Sequence, residues 1–535
     1  MSKKKIYIKD WLLLKPYETQ TLTDGYYLQL CNKVKQFLLP PNEPSVIQMY
    51  LEDEEIDLLA CYLTSWFEDL VSGSNVWNTF IKVHKNLYNK PLPFYDSEEY
   101  FEGEINPQDI SFLIWYFLNT VQDEKFISPF NHFIEECAFD VFQVFDDEWE
   151  YAPENKLIQS KYQINKNADF YQARNLIDTL LFKTYLFHTD TFSRLNEKII
   201  ELIEKSKDEQ RTISLMNETR DQMVATSYSR LLSLKGKEWI AELLGQSHPL
   251  HNDYMNISQK ILALFLYKGQ DENDIFLEHI ATGKKFNLTK KSFDHAHDLI
   301  EIDTIVYIGL VKWQSEWWFS GIYFKQEFNA DLVLDERNSV ESRGAINFLT
   351  ESEDKVSETL EAQYKAFLDF NNGEQIAFMA SDKIMEFNNN YLQFFNNSLQ
   401  LSDEEIEEAR QLRIKDGLFE IKKEKEDPDF TKVAESGLVF FNPKSGIEIA
   451  LAVNSAFPLP TNPFFNSKES EDHIFRLMMD ESLSTELVMF CIENCKTKLP
   501  FFTKGTGKMY LKDIDFLLRF WKLGNYHSKP SITLV

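Results

Sequence analysis

The first half of the chain has the hydrophobic period of an α-helix. From residue 24 to about 162, apolar residues recur every three to four positions, which places them on one face of a helix. Pro107 suits the first turn of a helix that continues to about Val121. We therefore predict an all-α domain over residues 1–162. A second helical block is predicted over residues 163–250, ending at Gly245 and Pro249.

After residue 255, the spacing of apolar residues changes from the helical period of 3.6 residues to the strand period of 2 residues. Segments 275–280 and 286–289 flank Gly283 and read as a hairpin. Segments 304–313 and 316–324 are rich in β-branched and aromatic residues and flank a turn at residues 314–315. This pattern predicts a small β-rich domain, a curled sheet or barrel, over residues 255–345.

The remaining residues contain some segments with the helical period and others with the strand period. Residues 346–425 form a predicted helical segment, in which 375–379 is predicted as a strand completing the β-rich domain, 402–405 as a helix start and 420–429 as an exposed linker. Residues 430–535 are predicted to form a hairpin, 437–441 with 446–453, followed by helices at about 470–494 and 511–522. The predicted fold class is multidomain α+β, with a mostly α-helical N-terminal half, a small β-rich central domain and an α+β C-terminal region.

Composition narrows the class of protein. With 43% hydrophobic and 26% charged residues, the chain can bury large cores, which excludes wholesale disorder. Five cysteines in 535 residues indicate reduced thiols rather than a disulfide framework. The longest nearly apolar stretch, residues 110–118, is shorter than the roughly 20 residues that a membrane-spanning helix needs. We predict a cytoplasmic protein without a membrane segment.

Acidic residues are concentrated in the first predicted domain. The formal net charge is −29, and residues 96–154 contain sixteen acidic residues and one lysine. Nine of these acidic residues surround aromatic side chains: Asp96, Glu98, Glu99, Glu102, Glu104, Asp146, Asp147, Glu148 and Glu150. Two interpretations stay open: a solvated acidic surface, or a surface that docks a basic partner through aromatic anchors.

The C-terminal window has the opposite charge. Residues 496–529 contain eight basic and two acidic residues among several aromatics. The candidate contacts for nucleic acid or phosphate are Lys504, Lys508, Arg519 and Lys522. The alternative is that this segment is the internal complement of the acidic domain. Residues 504–508 lack the spacing of a P-loop.

Catalytic signatures are weak. His295 and His297 lie beside Asp294 and Asp298, the one stretch where imidazoles and carboxylates concentrate, and a surface loop is the simpler interpretation. The sequence contains no G-x-S-x-G, G-x-G-x-x-G or H-E-x-x-H motif. We assign no catalytic residue, metal or cofactor. The sequence favours a protein that is not an enzyme but leaves enzymatic activity open.

Three segments carry a resemblance to a known family. They are residues 6–11, the acidic stretch 94–109 and the closing run 514–521. Together they resemble an uncharacterised bacterial family of unknown function, and the resemblance extends over nearly the whole chain. The resemblance implies a bacterial cytoplasmic protein, and it implies no catalytic residue for this chain.

These observations predict a non-catalytic cytoplasmic interaction or scaffold protein. Its acidic helical region is expected to dock a basic partner protein. A second hypothesis is an RNA- or DNA-binding protein that uses the β-rich domain and the basic C-terminal segment. A third is an enzyme with an unrecognised site near His295 and His297.

Overall fold

The computed structural model describes residues 5–39, 45–122, 125–206, 208–349, 353–399 and 429–527. The chain divides into two compact units, Met1–Lys260 with Val311–Ile322 and Ile261–Leu310 with Tyr323–Val535. The first unit is largely helical, and the second combines β-structure with helices. The architecture is therefore multidomain α+β, as the sequence predicts.

The first unit is built from helices that succeed one another closely along the chain. They are α1 (Ile8–Leu12), α2 (Asp24–Leu38), α3 (Asp53–Ser72), α4 (Val76–Tyr88), α5 (Pro107–Val121), α6 (His132–Asp146), α7 (Lys156–Lys161), α8 (Phe170–Lys183), α9 (Tyr185–Phe187), α10 (Ser193–Lys205), α11 (Glu209–Thr226), α12 (Gly236–Leu244) and α13 (His251–Met255). A π-helical turn, His188–Phe192, joins α9 to α10.

Helices α3 and α5 form the centre of this unit. Most of their residues are buried, and α5 begins at Pro107 as the sequence predicts. Trp66 of α3 meets Trp77 of α4 edge to face, with ring centroids 6.4 Å apart, and Phe80 stacks on Phe112 of α5 at 5.1 Å. Burial of these large rings supplies much of the apolar stabilisation of the helical unit.

Five strands close into a barrel. They are β1 (Ile261–Gln270), β2 (Asp274–His279), β3 (Lys285–Thr289), β4 (Ile305–Trp313) and β5 (Glu316–Gln326), in the order β1-β2-β3-β5-β4. The predicted hairpin is the antiparallel pair β2 and β3, and the predicted turn between β4 and β5 holds Gln314 at a φ of 54°. The barrel confirms the small β-rich domain. Strand β1, which pairs with both β2 and β4, was not predicted as a separate strand.

A second sheet lies in the C-terminal region. Its strands are β6 (Ile376–Ala380), β7 (Ser436–Asn442) and β8 (Gly446–Leu451), in the order β6-β7-β8. The hairpin of β7 and β8 is the one predicted. The assignment of 375–379 to the β-rich domain is wrong, because β6 pairs with β7 and not with a barrel strand.

The remaining helices lie before, between and after the strands of this sheet along the sequence. They are α14 (Ala330–Asn338), α15 (Val340–Gly344), α16 (Glu353–Phe370), α17 (Ile384–Ser398), α18 (Ser470–Met479), α19 (Thr485–Cys495), α20 (Pro500–Thr503), α21 (Gly507–Tyr510) and α22 (Ile514–Lys522). Phe367 and Tyr391 of α16 and α17 pack against Val439 and Phe441 of β7. The predicted helix start at 402–405 lies outside the described residues, as does nearly all of the predicted linker. Among the described residues, no helix combines the length and apolarity needed to cross a membrane.

Candidate interaction surface

The first acidic cluster consists of Asp96, Glu98, Glu99, Glu102 and Glu104. It lies in the segment that joins α4 to α5, and all five side chains are exposed. Lys85 of α4 forms an ion pair with Glu102. The cluster therefore presents its carboxylates to solvent from a segment that is anchored on the helices at both of its ends.

Buried polar residues fix the backbone of this segment. The side chain of Asn106 accepts a hydrogen bond from the Phe101 amide at 2.9 Å and donates to the carbonyls of Phe101 and Glu104, each at 3.0 Å. The Tyr100 hydroxyl donates to Asp109 Oδ1 at 2.9 Å. Burial raises the pKa of Asp109 to about 7. Phe101 itself is 61% exposed, so an aromatic ring projects among the carboxylates.

The second acidic cluster consists of Asp146, Asp147, Glu148 and Glu150. It lies at the C-terminal end of α6, where Asp146 is the last helical residue. Glu148 differs from the other three because it is half-buried: it accepts hydrogen bonds from the Tyr26 hydroxyl at 2.7 Å and from Lys33 Nζ at 3.2 Å. The bond from Tyr26 is the main reason that the pKa of Glu148 is lowered. Glu148 therefore fastens the end of α6 to α2.

The two aromatic residues of the second cluster have different environments. Trp149 is half-buried and packs on Phe67 of α3 with ring centroids 5.9 Å apart. Tyr151 is 75% exposed. Trp149 thus holds the segment in place, while Tyr151 leaves most of its surface exposed to solvent.

The nine carboxylates have few internal partners. Within the described ranges, ion pairs reach only Glu102 and Glu148 among the nine, from Lys85 and Lys33. No hydrogen bond among the described residues joins one cluster to the other. The structure thus brings each cluster together locally, and it leaves most of the charge directed to solvent.

The four candidate basic residues of the C-terminal segment lie in three environments. Lys504 and Lys508 are exposed. Arg519 pairs with Asp515 at 3.1 Å, and its guanidinium lies 4.4 Å from the ring centroid of Tyr526. Lys522 is completely buried and donates to the carbonyls of Leu477 and Asp480, at 3.0 and 2.8 Å. Burial lowers the pKa of Lys522 to about 8.

Lys522 therefore belongs to the interior of the C-terminal region and not to a nucleic-acid-binding surface. The glycines of the run 504–508 also have a structural explanation. A Cβ atom on Gly507 would overlap the ring of Phe501, and one on Gly505 would come within 3.0 Å of the Phe501 carbonyl oxygen. Close packing against α20 accounts for both glycines without a bound phosphate.

The histidine stretch forms a one-turn 3₁₀ helix, Asp294–Asp298. His295 and His297 are exposed, and His295 stacks on Tyr323 with ring centroids 5.6 Å apart. Asp298 lies 3.4 Å from His295 Nδ1 and 3.3 Å from His297 Nε2. In the described part of the chain, no group of three or more His, Cys, Asp or Glu residues is arranged to hold a metal ion.

A buried ionic network in the first unit was not anticipated from the sequence. Lys260 Nζ lies 2.5 Å from Glu218 and 2.6 Å from Asp221 of α11, and its side chain is fully buried. Arg174 Nε and Ser320 Oγ also donate to Asp221, at 2.5 and 2.7 Å. About forty residues separate Lys260 from its partners, so no local spacing pattern could have indicated this network. The network links α8, α11 and β5 to the residue just before β1 through buried charged groups.

The helical unit, the five-stranded barrel and the three-stranded sheet define a multidomain α+β protein. A family described as Protein of unknown function (DUF3843) matches residues 5–277, about half of the chain, and the chain belongs to this family. The expectation that the resemblance covers nearly the whole chain is wrong: the match ends within β2, and the segment 514–521 lies outside it. No curated protein and no solved structure matches the chain.

Proposed function

We propose that this protein is a non-catalytic interaction protein that docks a basic partner protein on its two acidic clusters. The observation that carries the proposal is that each cluster exposes one large aromatic ring among its carboxylates. Phe101 is 61% exposed and Tyr151 is 75% exposed. Aromatic rings at the centre of a charged patch are typical of the residues that contribute most to binding energy.

The arrangement implies a division of labour in recognition. The unpaired carboxylates, within a chain of net charge −29, attract a positively charged surface over about one Debye length, which accelerates association. The exposed rings then supply the short-range, desolvated contacts that slow dissociation. The expected partner therefore presents lysine or arginine residues around apolar recesses.

The position of the second cluster on α6 supports a role other than stability. Asp146 and Asp147 stand at the C-terminal end of the helix, where the helix dipole is negative and further negative charge is unfavourable. Neither side chain forms a hydrogen bond or ion pair with another described residue that would offset this effect. Binding of a basic partner would account for the acidic residue type at these two positions.

A matched pair of charge-reversal variants tests the proposal. The test variant combines Asp146→Lys, Asp147→Lys and Glu150→Lys, and it keeps Glu148 because of its bonds to Tyr26 and Lys33. The control variant combines Glu197→Lys, Glu201→Lys and Glu204→Lys on the exposed side of α10. Both change the net charge by the same amount.

Tagged full-length protein is isolated at low salt from gently lysed native cells, with and without nuclease, and bound proteins are identified. We expect a basic protein that resists nuclease, is captured by the wild type and the control, and is lost from the folded test variant. Equal capture by the test variant would contradict the proposal. Capture that nuclease abolishes would instead favour nucleic acid as the ligand, with Lys504 and Lys508 as the next residues to change.

A further inference from the structure

Strand β6 is an edge strand with unused hydrogen-bonding groups. Gln375 O accepts from the Phe441 amide, and the Ser381 amide donates to Glu435 O, each at 3.0 Å. In an antiparallel ladder this register turns odd-numbered residues of β6 toward β7 and even-numbered residues away from it. The amides of Ile376, Phe378 and Ala380 therefore point to the free edge.

Only some of the backbone hydrogen-bonding groups at the free edge have partners within the described part of the chain. Asn371 Nδ2 donates to the Ile376 carbonyl at 3.1 Å. No other described residue forms a hydrogen bond with the outward amides of Ile376, Phe378 and Ala380, or with the Phe378 carbonyl. A row of such groups is a template for one more strand.

A groove runs along this edge. Its volume is about 540 Å³, which falls within the range of ligand-binding clefts. One wall is formed by α17, through the adjacent residues Glu386 and Phe387 and, about one turn further on, Asn390. The other wall includes Thr461. The half-buried rings of Phe378 and Phe387 also line the groove.

The charge in the groove selects among possible occupants. Lys383 and Glu386 form an ion pair at 3.0 Å and neutralise each other. Glu374 lies just before β6, is exposed, and has no cation partner among the described residues. The remaining charge is therefore negative and lies at the N-terminal end of the strand.

We propose that this groove binds an extended segment of a second protein, which adds a fourth strand to the sheet beside β6. Main-chain hydrogen bonds to the outward groups of β6 hold the segment, as in other cases of strand addition. Apolar side chains of the segment alternate between Phe387 on one side and Phe378 on the other. A lysine or arginine of the segment pairs with Glu374.

A single extended strand fits this edge better than a second copy of the chain. The edge is recessed between α17 and the segment at Thr461. If β6 paired with the β6 of a second copy, the groove walls of the two copies would clash sterically. The proposal does not depend on the acidic clusters, which lie in the other unit.

Proline at position 380 tests the proposal without breaking the sheet. Ala380 has φ −64° and ψ 145°, which suits proline, and its amide points away from β7. Ala380→Pro therefore removes one outward donor and no ladder bond. The matched control, Ala380→Ser, keeps the amide.

Random dodecapeptides displayed on phage are selected on the full-length protein, and enriched sequences are synthesised for affinity measurement. We expect enriched peptides with alternating apolar residues and a lysine or arginine. Ala380→Pro should weaken their binding about fivefold, the effect of one lost hydrogen bond, and Ala380→Ser should leave it unchanged. Binding to wild type should also fall when the peptide amides are N-methylated, a readout that needs no protein variant.

Charge reversal locates the peptide on the edge. Glu374→Lys should weaken binding of a basic peptide, and the same peptide with glutamate in place of its basic residue should regain affinity for that variant. No enriched peptide, or equal binding to wild type and to folded Ala380→Pro, would overturn the proposal. Self-association of the wild type that Ala380→Pro abolishes would assign the edge to a second copy and overturn it as well. Reversing Asp146, Asp147 and Glu150 should leave peptide binding unchanged, so this test stands apart from that of the acidic clusters.

Discussion

Gly321 shows how closely the first unit packs around buried charge. Its φ is +90°, and a Cβ atom there would overlap both the Glu218 carboxylate and the Lys260 ammonium group. The next amide, of Ile322, donates to Glu218 at 3.0 Å. Glycine at this position therefore lets β5 approach the ionic network of α11.

Gly321→Ala should lower the free energy of unfolding by about 3 kcal/mol or more, because it adds backbone strain and disturbs a buried ion pair. Gly103→Ala is the control: its φ is +84°, but its Cβ would have open space, so it should cost only about 1 kcal/mol of strain. Urea denaturation of both variants measures the difference. Equal losses would show that the network does not require glycine.

The raised pKa of Asp109 determines the direction in which this residue makes the stability of the protein change with pH. Burial raises its pKa from 3.8 to about 7 in the folded protein. Between these values the folded state binds more protons at this site than the unfolded state does, so this group makes stability fall as pH rises from about 4 to 7. Above pH 7 the full penalty of a buried carboxylate is present.

Asp109→Asn removes this penalty and keeps an oxygen that accepts from Tyr100. The stability gained by Asp109→Asn should be near zero at pH 4 and grow to its full value above pH 7, as measured by denaturation at several pH values. Glu104→Gln, an exposed change in the same segment, serves as the control and should show little such trend. A gain for Asp109→Asn that is the same at pH 4 and pH 8 would contradict the account.

At the scale of elements, the proposed binding role of α6 opposes its stability. Replacing Asp146 and Asp147 by asparagine should raise the free energy of unfolding by about 0.5–1 kcal/mol, because it removes two negative charges from the negative end of the helix dipole. Glu135→Gln, in the first turn of α6, should lower it. Chemical denaturation gives both values. A loss of stability on neutralising Asp146 and Asp147 would remove the dipole argument for a binding role.

Local elements were largely predictable, whereas their partners were not. The period of 3.6, the position of Pro107 and the hairpins around residues 283 and 443–445 are encoded in neighbouring residues, so they could be predicted from the sequence. Strand β6 was recognised as a strand, but its partner β7 lies about sixty residues further on. Any apolar strand offers the same ladder of backbone groups, so its choice of sheet had no local signal.

The candidate sites were also only partly predictable, because contacts between residues distant in sequence leave no local signal. Counting charge over a window treats every lysine alike, yet Lys522 lies on a helix whose neighbours Phe520 and Trp521 are buried. Its ammonium group is satisfied by carbonyls about forty residues earlier in the chain. The acidic clusters behave differently, because their charges stand in segments too polar to be buried, and most remain exposed.

At the scale of the whole molecule, surplus negative charge collects where aromatic rings are exposed. Exposed charge contributes little to stability, and the proposed function attributes its concentration around Phe101 and Tyr151 to recognition. Binding governed by these clusters should weaken steeply between low and physiological salt, because the carboxylates are exposed and screened.

Site-specific photo-crosslinking in native cells tests the docking claim most directly. A photoreactive phenylalanine analogue replaces Phe101, Tyr151 or, as a control, Phe328, which is 56% exposed outside the clusters. We predict that positions 101 and 151 crosslink to a basic protein, that position 328 does not, and that reversing Asp146, Asp147 and Glu150 abolishes the crosslink from position 151. Crosslinks from position 151 that survive this reversal, or none from either cluster, would contradict the account.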